Sequence, residues 1–504
     1  MSLAPSAAPS ALIVENGVIT WVGTDAELRD LAVAHARITD VEGALITPGF
    51  VDAHVHATST GLTLLGLDLS AVRSADDLLD ELAAVHEPPS RIILGHGWDE
   101  SQWTNVTLPT RDQLDHAARG ARVYLTRADA HSALVSSALI AAVPDCRGMR
   151  GFDESGWVTQ EAHHALREYA LGSVATESRT RAQEAFMARA VRCGIVSVHE
   201  MAGPVISSVD DCRDLLATAA RVGGTQVIAY WGELAQAGGI ETARELGARG
   251  TGGDLFVDGS FGSHTACLHE SYADLPDSHG RSFLDGDAVV EHVDLCVRAD
   301  IQTGFHAIGD AANDAVIEAF AQAARVHGTE RVRSHRHRIE HAEALSAANI
   351  EMCAHLGLVA SMQPVFDARW GGSEGMYAAR LGAIRAAALN PIGDLRRSGV
   401  AVAFGSDAPV TPLDPWGAVR AAVNHRNSYQ RIEISEALDS HTRFGWQAVG
   451  IDDAGLIAVG QAAHLAIWGS GGVDAYPSSG STALRTVIDG MSVWDSGELT
   501  DISC

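Results

Sequence analysis

The chain has few cysteines, and they form no recognisable pattern. Seven cysteines are scattered over 504 residues, and no two of them make a C-x-x-C pair. An odd, scattered set in a chain of this length is typical of reduced thiols in a cytosolic protein rather than of a disulfide framework. Cysteine usage therefore predicts a cytoplasmic location.

Long hydrophobic runs are also missing. No segment approaches the ~18 consecutive apolar residues of a membrane-spanning helix. The first residues, MSLAPSAAPSALIVENG, lack the basic stretch and long apolar core of a secretory signal. We therefore expect neither a membrane partner nor a cleaved signal.

Positive charge is scarce. Lys and Arg total 36 against 64 Asp and Glu, so the formal net charge is −28. An acidic surface repels phosphate backbones, which makes nucleic acid an unexpected partner. The remaining composition is that of an ordinary globular protein, with 46% hydrophobic and 20% charged residues. The sequence does not determine the oligomeric state and is compatible with a homodimer.

Both ends of the chain are rich in predicted strands. Apolar and polar residues alternate around a turn at 15–17, and again around a turn at 489–490. Such alternation around Asn, Asp and Gly is typical of hairpins. We predict that residues 1–48 and 456–504 together form one small sheet domain.

The middle of the chain alternates short apolar runs with helical stretches. We predict eight strands, at 49–56, 122–129, 195–201, 254–259, 303–310, 337–343, 358–364 and 400–407. Strands that alternate with helices are typical of a parallel (β/α)8 barrel, here over residues 49–455. The stretch 58–120 is too long for one connection, and we expect it to form an insertion over the barrel mouth.

Histidine is abundant, with 23 residues, and the motif TPGFVDAHVHA at 47–57 holds two of them. Alternate residues of a strand point to the same side, so His54 and His56 face one place. The end of a barrel strand is the catalytic face of such a fold, and imidazole is the commonest ligand of zinc and similar metals. We predict that both histidines bind a metal ion.

Three further polar residues close predicted strands: His306 in TGFHAIGD, His341 in HRIEHAE and Asp407 in AFGSDAP. Together with the first two histidines they predict a metal site with an open position, as catalysis requires. A metal ion there would lower the pKa of a bound water towards ~7. Asp407 is then the expected proton carrier, from the water to a leaving nitrogen.

Other residues near the predicted mouth are candidates for substrate contact. Arg127, Asp129 and His131 in TRADAHS either contact the substrate, with His131 as a catalytic group, or form an ion pair that supports the loop. Trp98 in GHGWD lines the pocket or belongs to a core. Gln363 in SMQP is assigned to the substrate pocket.

Over nearly its whole length the chain resembles the amidohydrolase superfamily, in the branch that includes N-substituted formamide deformylases. The matching motifs include GFVDAHVH, GHGWDESQW, TRADAHSALVSSAL, VDGSFGSHTACL, GFHAIGD, HRHRIEHAE, SMQP and FGSDAPV. The resemblance implies a (β/α)8 TIM-type barrel with a small β-sandwich made from both ends of the chain. It also implies a divalent metal, with zinc the expected ion.

The chain departs from this branch at three positions. The branch usually has a lysine four residues before the Asp of D-G-S, and that lysine is carbamylated and bridges two metals. Here the position is Asp254, and no lysine occurs between Gly250 and Arg281. Phe366 replaces the histidine that commonly follows the proline of SMQP, and His464 replaces an aspartate near the end of the chain.

Asp254 leaves several interpretations open. In the first, Asp254 bridges two metals although its side chain is short. In the second, the site holds a single metal. In the third, the site has lost catalysis and only binds its ligand. Glu200 in VHEM is the other candidate for a bridging carboxylate. Because barrel closure fixes strand positions, we expect one ion, held by His54, His56, His306 and Asp407 with His341 orienting water or substrate.

The resemblance implies hydrolysis of an amide-like C–N bond in a small molecule, such as an N-formyl or N-acyl amine, a cyclic amide or a carbamoyl compound. Two alternatives remain. One is deamination of an amidine-like ring, and the other is metal-dependent binding without turnover. The expected partner in each case is a small molecule.

Overall fold

Short apolar runs of this chain form its strands, and several of those strands are buried along their whole length. The computed structural model describes residues 9–31, 37–85, 92–469 and 476–503. Its strands are β1 (Ala11–Glu15), β2 (Val18–Gly23), β3 (Arg37–Asp40), β4 (Leu45–Pro48), β5 (Phe50–Val55), β6 (Leu67–Asp68), β7 (Ile92–Trp98), β8 (Arg122–Arg127), β9 (Ser132–Val135), β10 (Trp157–Thr159), β11 (Ile195–Ala202), β12 (Gln226–Trp231), β13 (Gly250–Thr251), β14 (Gln302–Ala307), β15 (Arg338–His341), β16 (Val359–Met362), β17 (Ala401–Phe404), β18 (Leu465–Trp468), β19 (Arg485–Ile488), β20 (Met491–Asp495) and β21 (Thr500–Ser503).

Helices fill most connections between these strands. They begin at capping residues such as Ser208, whose side chain accepts the N–H of Asp211 in the first turn of α8. The helices are α1 (Asp25–Asp30), α2 (Ala57–Leu65), α3 (Ala75–Ala84), α4 (Arg111–Ala117), α5 (Ser137–Ala142), α6 (Gln160–Gly172), α7 (Thr176–Arg192), α8 (Val209–Val222), α9 (Gly239–Leu246), α10 (Gly286–Arg298), α11 (Asp310–His327), α12 (Thr329–Ser334), α13 (Ala347–Leu356), α14 (Pro364–Trp370), α15 (Met376–Leu381), α16 (Ala383–Ala386), α17 (Ile392–Arg397), α18 (Pro415–Val423), α19 (Ile434–Ser440) and α20 (Arg443–Ala448). Within the described ranges, every helix is too short or too polar to cross a bilayer.

Eight parallel strands form the barrel. Their order is β5, β11, β12, β13, β14, β15, β16 and β17. A parallel bridge between Val55 and Ala408 joins the two ends of this sheet. Residues of β5, β11, β14 and β15 are buried throughout, because strands of a parallel sheet are covered on both faces. The predicted barrel fold is confirmed.

Two of the eight predicted strands, at 122–129 and 254–259, are not barrel strands, and β12 and β13 lie outside the predicted ranges. The segment predicted at 122–129 forms β8 of a separate five-stranded sheet with the order β10-β9-β8-β7-β6. The barrel strand β12 was missed, since the run QVIAYW ends in no polar motif that marks it as functional. A short apolar run looks alike in either sheet, so periodicity alone could not separate them.

The five-stranded sheet is inserted between the first two barrel strands. It extends from Leu67 to Thr159, beyond the predicted limit near residue 120. The segment predicted as a strand at 254–259 is mostly irregular, with a single bridge between Phe256 and His306. The inserted region and the irregular segment at 254–259 both contribute residues to the wall of a cavity at the barrel mouth.

Strands from the two ends of the chain pair with each other. The four-stranded sheet β20-β19-β18-β4 joins β4 to the C-terminal strands, and β21 pairs with β3. The hairpin β1–β2 contacts the same region through an antiparallel bridge between Val18 and Ala462. The pairing brings both ends of the chain to the side of the barrel.

Candidate metal centre

Two histidines at the end of the first barrel strand point into the barrel mouth. Because alternate residues share one side of β5, His54 and His56 project together. Nδ1 of His54 lies 2.9 Å from Oε2 of Glu340, and Nδ1 of His56 lies 3.2 Å from the carbonyl oxygen of Met201. These oxygens only accept, so both Nδ1 atoms donate, and the Nε2 atoms face the centre as ligands.

A second pair of histidines comes from the ends of β14 and β15. Nε2 of His306 lies 3.2 Å from the carbonyl oxygen of Gly259, and Nδ1 of His341 lies 2.8 Å from Oε1 of Gln363. The two ring centroids are 4.4 Å apart. His341 has a φ of 70°, a left-handed conformation that non-glycine residues rarely adopt. The pair presents Nδ1 of His306 and Nε2 of His341 to the centre.

One carboxylate lies between the two pairs. Oδ2 of Asp254 is 3.0 Å from Nε2 of His56 and 3.5 Å from Nε2 of His54. Oδ1 of Asp254 is 3.4 Å from Nδ1 of His306 and 3.7 Å from Nε2 of His341. Each oxygen of this one side chain therefore faces a different pair of imidazoles.

Two glycines bring Asp254 to this position. Strand β13 is only two residues long, and Gly252 and Gly253 follow it with φ values of +141° and +79°. A Cβ on Gly252 would lie 2.4 Å from the nitrogen of Gly304, and one on Gly253 would lie 2.4 Å from Sδ of Met201. Asp254 was expected on a barrel strand, where its side chain would be too short to reach two ions. It instead lies after β13, on a bend that carries it towards the histidines.

Asp407 completes the cluster from the end of β17. Its Oδ1 lies 3.2 Å from Nε2 of His56 and 3.5 Å from Nε2 of His54. Its backbone N–H donates to the carbonyl oxygen of His54 at 2.8 Å. Burial alone would raise the pKa of Asp407, but His54 and His56 hold it below its ordinary value. Asp407 is therefore ionised at neutral pH.

The six side chains fit a divalent metal ion. All are buried, and Nε2 of His54 has no hydrogen-bond partner, which is unfavourable for a buried nitrogen unless it serves as a ligand. Although burial opposes it, the two carboxylates raise the pKa of His56 to about 9, so a cation belongs among them. Nitrogen and oxygen donors of this kind suit zinc and similar ions. Ligand atoms lie within 4.8 Å of one another in three groups: His54, His56 and Asp254; His54, His341 and Asp407; and Asp254, His306 and His341.

A buried ion pair beneath the cluster holds His54 in place. Nε of Arg338 is 2.8 Å from Oε1 of Glu340, and the guanidinium lies over the ring of Tyr230 at 4.7 Å. Burial raises the pKa of Glu340, but Arg338 outweighs this and lowers it to about 2. Glu340 was missed by the sequence analysis. The available signal was two charged residues at alternate positions of a buried strand.

Glu200 lies beside the cluster but outside the three groups of candidate ligands. Its Oε2 accepts the N–H of Ala57 at 2.7 Å, at the start of α2. Burial raises the pKa of Glu200 to about 7. Asp254, rather than Glu200, therefore occupies the position between the histidine pairs.

Three residues predicted to contact substrate lie behind the cavity wall. Trp98 is fully buried in the core of the inserted sheet, and its Nε1 donates to the carbonyl oxygen of Leu125 at 2.8 Å. Gln363 contacts His341 instead of the cavity. These predictions are corrected: Trp98 packs a core, Gln363 orients a histidine, and Arg127 supports a loop. The guanidinium of Arg127 is paired with the carboxylates of Asp99, Glu100 and Asp129.

Asp129 and His131 do line the cavity. Oδ2 of Asp129 accepts hydrogen bonds from the hydroxyls of Ser260 and Ser263, at 2.9 and 2.7 Å. The ring centroid of His131 lies 5.3 Å from that of His306. Burial, helped by His306, lowers the pKa of His131 to about 3. His131 is therefore a neutral imidazole at the mouth of the centre.

The cavity above the six side chains encloses about 610 Å³ of empty space when its open mouth is included. Phe366, at the position where the branch commonly has histidine, stacks on His341 with ring centroids 6.0 Å apart. A further carboxyl group, Glu343, lines the wall and accepts a 2.5 Å hydrogen bond from the hydroxyl of Tyr377. The rest of the wall is largely apolar and includes Phe256, Trp370, Met376 and Val410. A largely apolar lining with a few polar groups is typical of a small-molecule site.

Comparisons with known proteins agree with this geometry. The amidohydrolase family model matches residues 37–494, and the chain belongs to that family. It is similar to the putative amidohydrolase YtcJ of Bacillus subtilis, with 28% identity over 84% of this chain and 81% of that protein. It is also similar to the N-substituted formamide deformylase of Arthrobacter pascens, with 24% identity over 95% of this chain and 94% of that protein.

A solved structure shares the fold. It is an uncharacterized metal-dependent hydrolase from Pyrococcus furiosus, with a TM-score of 0.69 and 27% identity over 90% of this chain and 94% of that chain. The family, the fold and the cluster of candidate ligands together identify a metal-dependent hydrolase that uses a divalent ion.

Proposed function

We propose that the protein hydrolyses an amide-like C–N bond of a small molecule, such as that of an N-formyl or N-acyl amine. The observation that carries the proposal is the convergence of four imidazoles and two carboxylates at a largely apolar cavity. The similarity to a formamide deformylase over 95% of the chain supports the choice of bond. A divalent ion bound there, with zinc expected, supplies a Lewis acid that polarises a carbonyl and acidifies a nearby water.

Asp407 is the proposed proton carrier. Its carboxylate is held ionised by the neighbouring histidines and lines the cavity. It accepts a proton from the attacking water and donates it to the leaving nitrogen. Water thus adds to the carbonyl carbon, the C–N bond breaks, and the amine leaves with the proton that Asp407 carried.

His131 is the proposed partner of the substrate at the mouth. A neutral imidazole both donates and accepts one hydrogen bond, so it can hold an amide group in either orientation. The ring of His131 lies beside that of His306, with the two ring centroids 5.3 Å apart. We expect its loss to weaken substrate binding more than metal binding.

Asp254 is the proposed bridge between two ions, in place of the single ion expected from the sequence. Its two oxygens face different histidine pairs, at 3.0 to 3.7 Å from the four ring nitrogens. His54, His56 and Asp407 would hold one ion, and His306 and His341 the other. The short aspartate then takes the role of the carbamylated lysine that the branch usually carries.

A metal and substrate screen tests the proposed function. Purified protein is analysed for metals, and N-formyl and N-acyl amines are assayed for release of the free amine, with Asp407→Asn as the control. We expect metal-dependent amine release from wild type, lost on chelation and strongly reduced in the control. Release of ammonia would instead indicate a deaminase, and metal binding without any turnover would indicate a binding protein. Either outcome contradicts the proposal.

A further inference from the structure

One buried arginine, on the helix that follows the inserted sheet, has no partner among the described residues. Arg167 lies on α6 with only 8% of its surface exposed. Its side chain lines the cavity of the metal centre and also the neighbouring cavity. Within residues 9–31, 37–85, 92–469 and 476–503, its guanidinium makes no hydrogen bond, ion pair or stacking contact. A charge held in this way is unfavourable unless a ligand neutralises it.

The other buried arginines of the described chain are each paired with at least one carboxylate. Arg127 is paired with three carboxylates, and Arg338 with Glu340. Arg485 is paired with the carboxylates of Asp495 and Asp501. Among the described arginines that are buried, Arg167 alone lacks a carboxylate.

In the part of the chain that the structure describes, no carboxylate forms an ion pair with Arg167. Its neighbours include His96 and His164, whose pKa values burial lowers to about 4, with the positive charge of Arg167 adding to the effect. The carboxylates that line the shared cavity are held elsewhere. Asp129 is held by Arg127 and two serines, and Glu343 by Tyr377.

Ring contacts place Arg167 a short distance from the metal centre. The ring of Phe256 lies 4.7 Å from that of His306 and 6.1 Å from that of His164. His164 and Arg167 are three residues apart on one helix face, which separates them by about 4.5 Å along the axis. A small molecule can therefore reach from the histidine cluster to the guanidinium.

We propose that Arg167 binds a carboxylate of the substrate, so that the substrate is an N-acyl or N-formyl compound that also carries a carboxylate group. This inference rests on the proposed function for the scissile bond. Guanidinium and carboxylate make paired charge-assisted hydrogen bonds, which favours a carboxylate as the ligand of a buried arginine that lines a cavity. The apolar wall would then contact the side chain between the two polar groups.

The kinetic test compares matched substrates. N-formyl and N-acetyl amino acids are assayed beside their methyl esters with wild type, Arg167→Met, Arg167→Lys and Arg181→Met. Arg181 is an exposed arginine of α7, so its variant is a control with the same change in net charge. We expect wild type and the control to prefer the acid in kcat/KM by about 10- to 100-fold, and Arg167→Met to lose that preference. Arg167→Lys should keep part of it.

A binding test separates this inference from the proposed hydrolysis. Binding of the same acids and esters, and of inorganic phosphate, is measured on Asp407→Asn protein with and without Arg167→Met. Acid binding that depends on Arg167 supports the carboxylate site even where wild type shows no turnover. An equal response to acid and ester, or phosphate binding without preference for the acid, overturns it. Thermal unfolding identifies a misfolded Arg167→Met, in which case Arg167→Gln replaces it.

Discussion

The two histidine pairs of the metal centre are positioned by different kinds of backbone. His54 and His56 stand two residues apart on the regular strand β5. His306 and His341 come from separate strands, and His341 has left-handed backbone. Asp254, which lies between the pairs, depends on a glycine bend. The two-residue period of a regular strand fixes the direction of His54 and His56. The direction of His306 and His341 depends on contacts between segments that are distant in sequence. We call His54, His56 and Asp407 the first half of the centre, and His306 and His341 the second half. We therefore expect the second half to be the easier to disturb.

The largest expected effect comes from Asp407, which belongs to the first half. Asp407→Asn keeps an oxygen near His56 but cannot accept a proton. General acid–base help is worth ~10²–10⁴ in rate, so kcat should fall by at least that order. Metal content, measured on the same sample, should stay close to that of wild type. A rate within a few-fold of wild type would show that another group carries the proton.

Removal of one histidine from each half tests whether the halves hold separate ions. We expect His56→Ala to lose the ion on its own side together with most of the activity. His341→Ala should lose only the other ion. Both side chains line the cavity, so thermal unfolding should show a folded barrel in both variants. Metal content equal to that of wild type in both variants contradicts the ligand assignment.

A change in the glycine bend should disturb the second half without touching a ligand. Gly253→Ala puts a Cβ beside Met201 at a φ of +79°, and Gly399 has the same φ with no atom within 4 Å of a built Cβ. Both alanine variants should lose about 1 kcal/mol of unfolding free energy from the left-handed backbone. Only Gly253→Ala should also lose bound metal. Equal metal content in the two variants would mean that the bend does not position Asp254.

The smallest effect concerns Gln363, which orients His341. Gln363→Leu removes the acceptor for Nδ1 of His341 and also a buried Nε2 that has no partner. Loss of such an orienting contact typically weakens metal affinity 10- to 100-fold. Competition with a chelator should show this loss for one ion only, with the other as the internal control. Unchanged affinity for both ions would show that Gln363 does not orient His341 for metal binding.

The barrel and the cluster of strand-end residues could be predicted because both follow from short-range patterns. His54 and His56 share a two-residue period, and His306, His341 and Asp407 each close an apolar run. The structure brings all five together. The strand at 122–127 was misplaced because β7 and β9 pair with it in another sheet, and such pairing leaves no trace in a six-residue run.

The parts that could not be predicted depend on backbone bends and on distant partners. Nothing in the segment GGDLFVDG says that Gly252 and Gly253 turn the chain inward, since glycine also occurs in ordinary turns. Glu340 acts through His54, which is 286 residues away in sequence. Arg167 has no partner among the described residues, and this depends on side chains that are distant from it in sequence.

Anomalous diffraction shows directly whether Asp254 lies between two metal ions. Data collected at the metal edge from wild-type and Asp254→Ala crystals, with metal content measured in solution, locate and count the ions. We predict two peaks in wild type, one beside each oxygen of Asp254, and a lower metal content in Asp254→Ala. A single fully occupied ion in wild type that is not in contact with Asp254 would contradict the account.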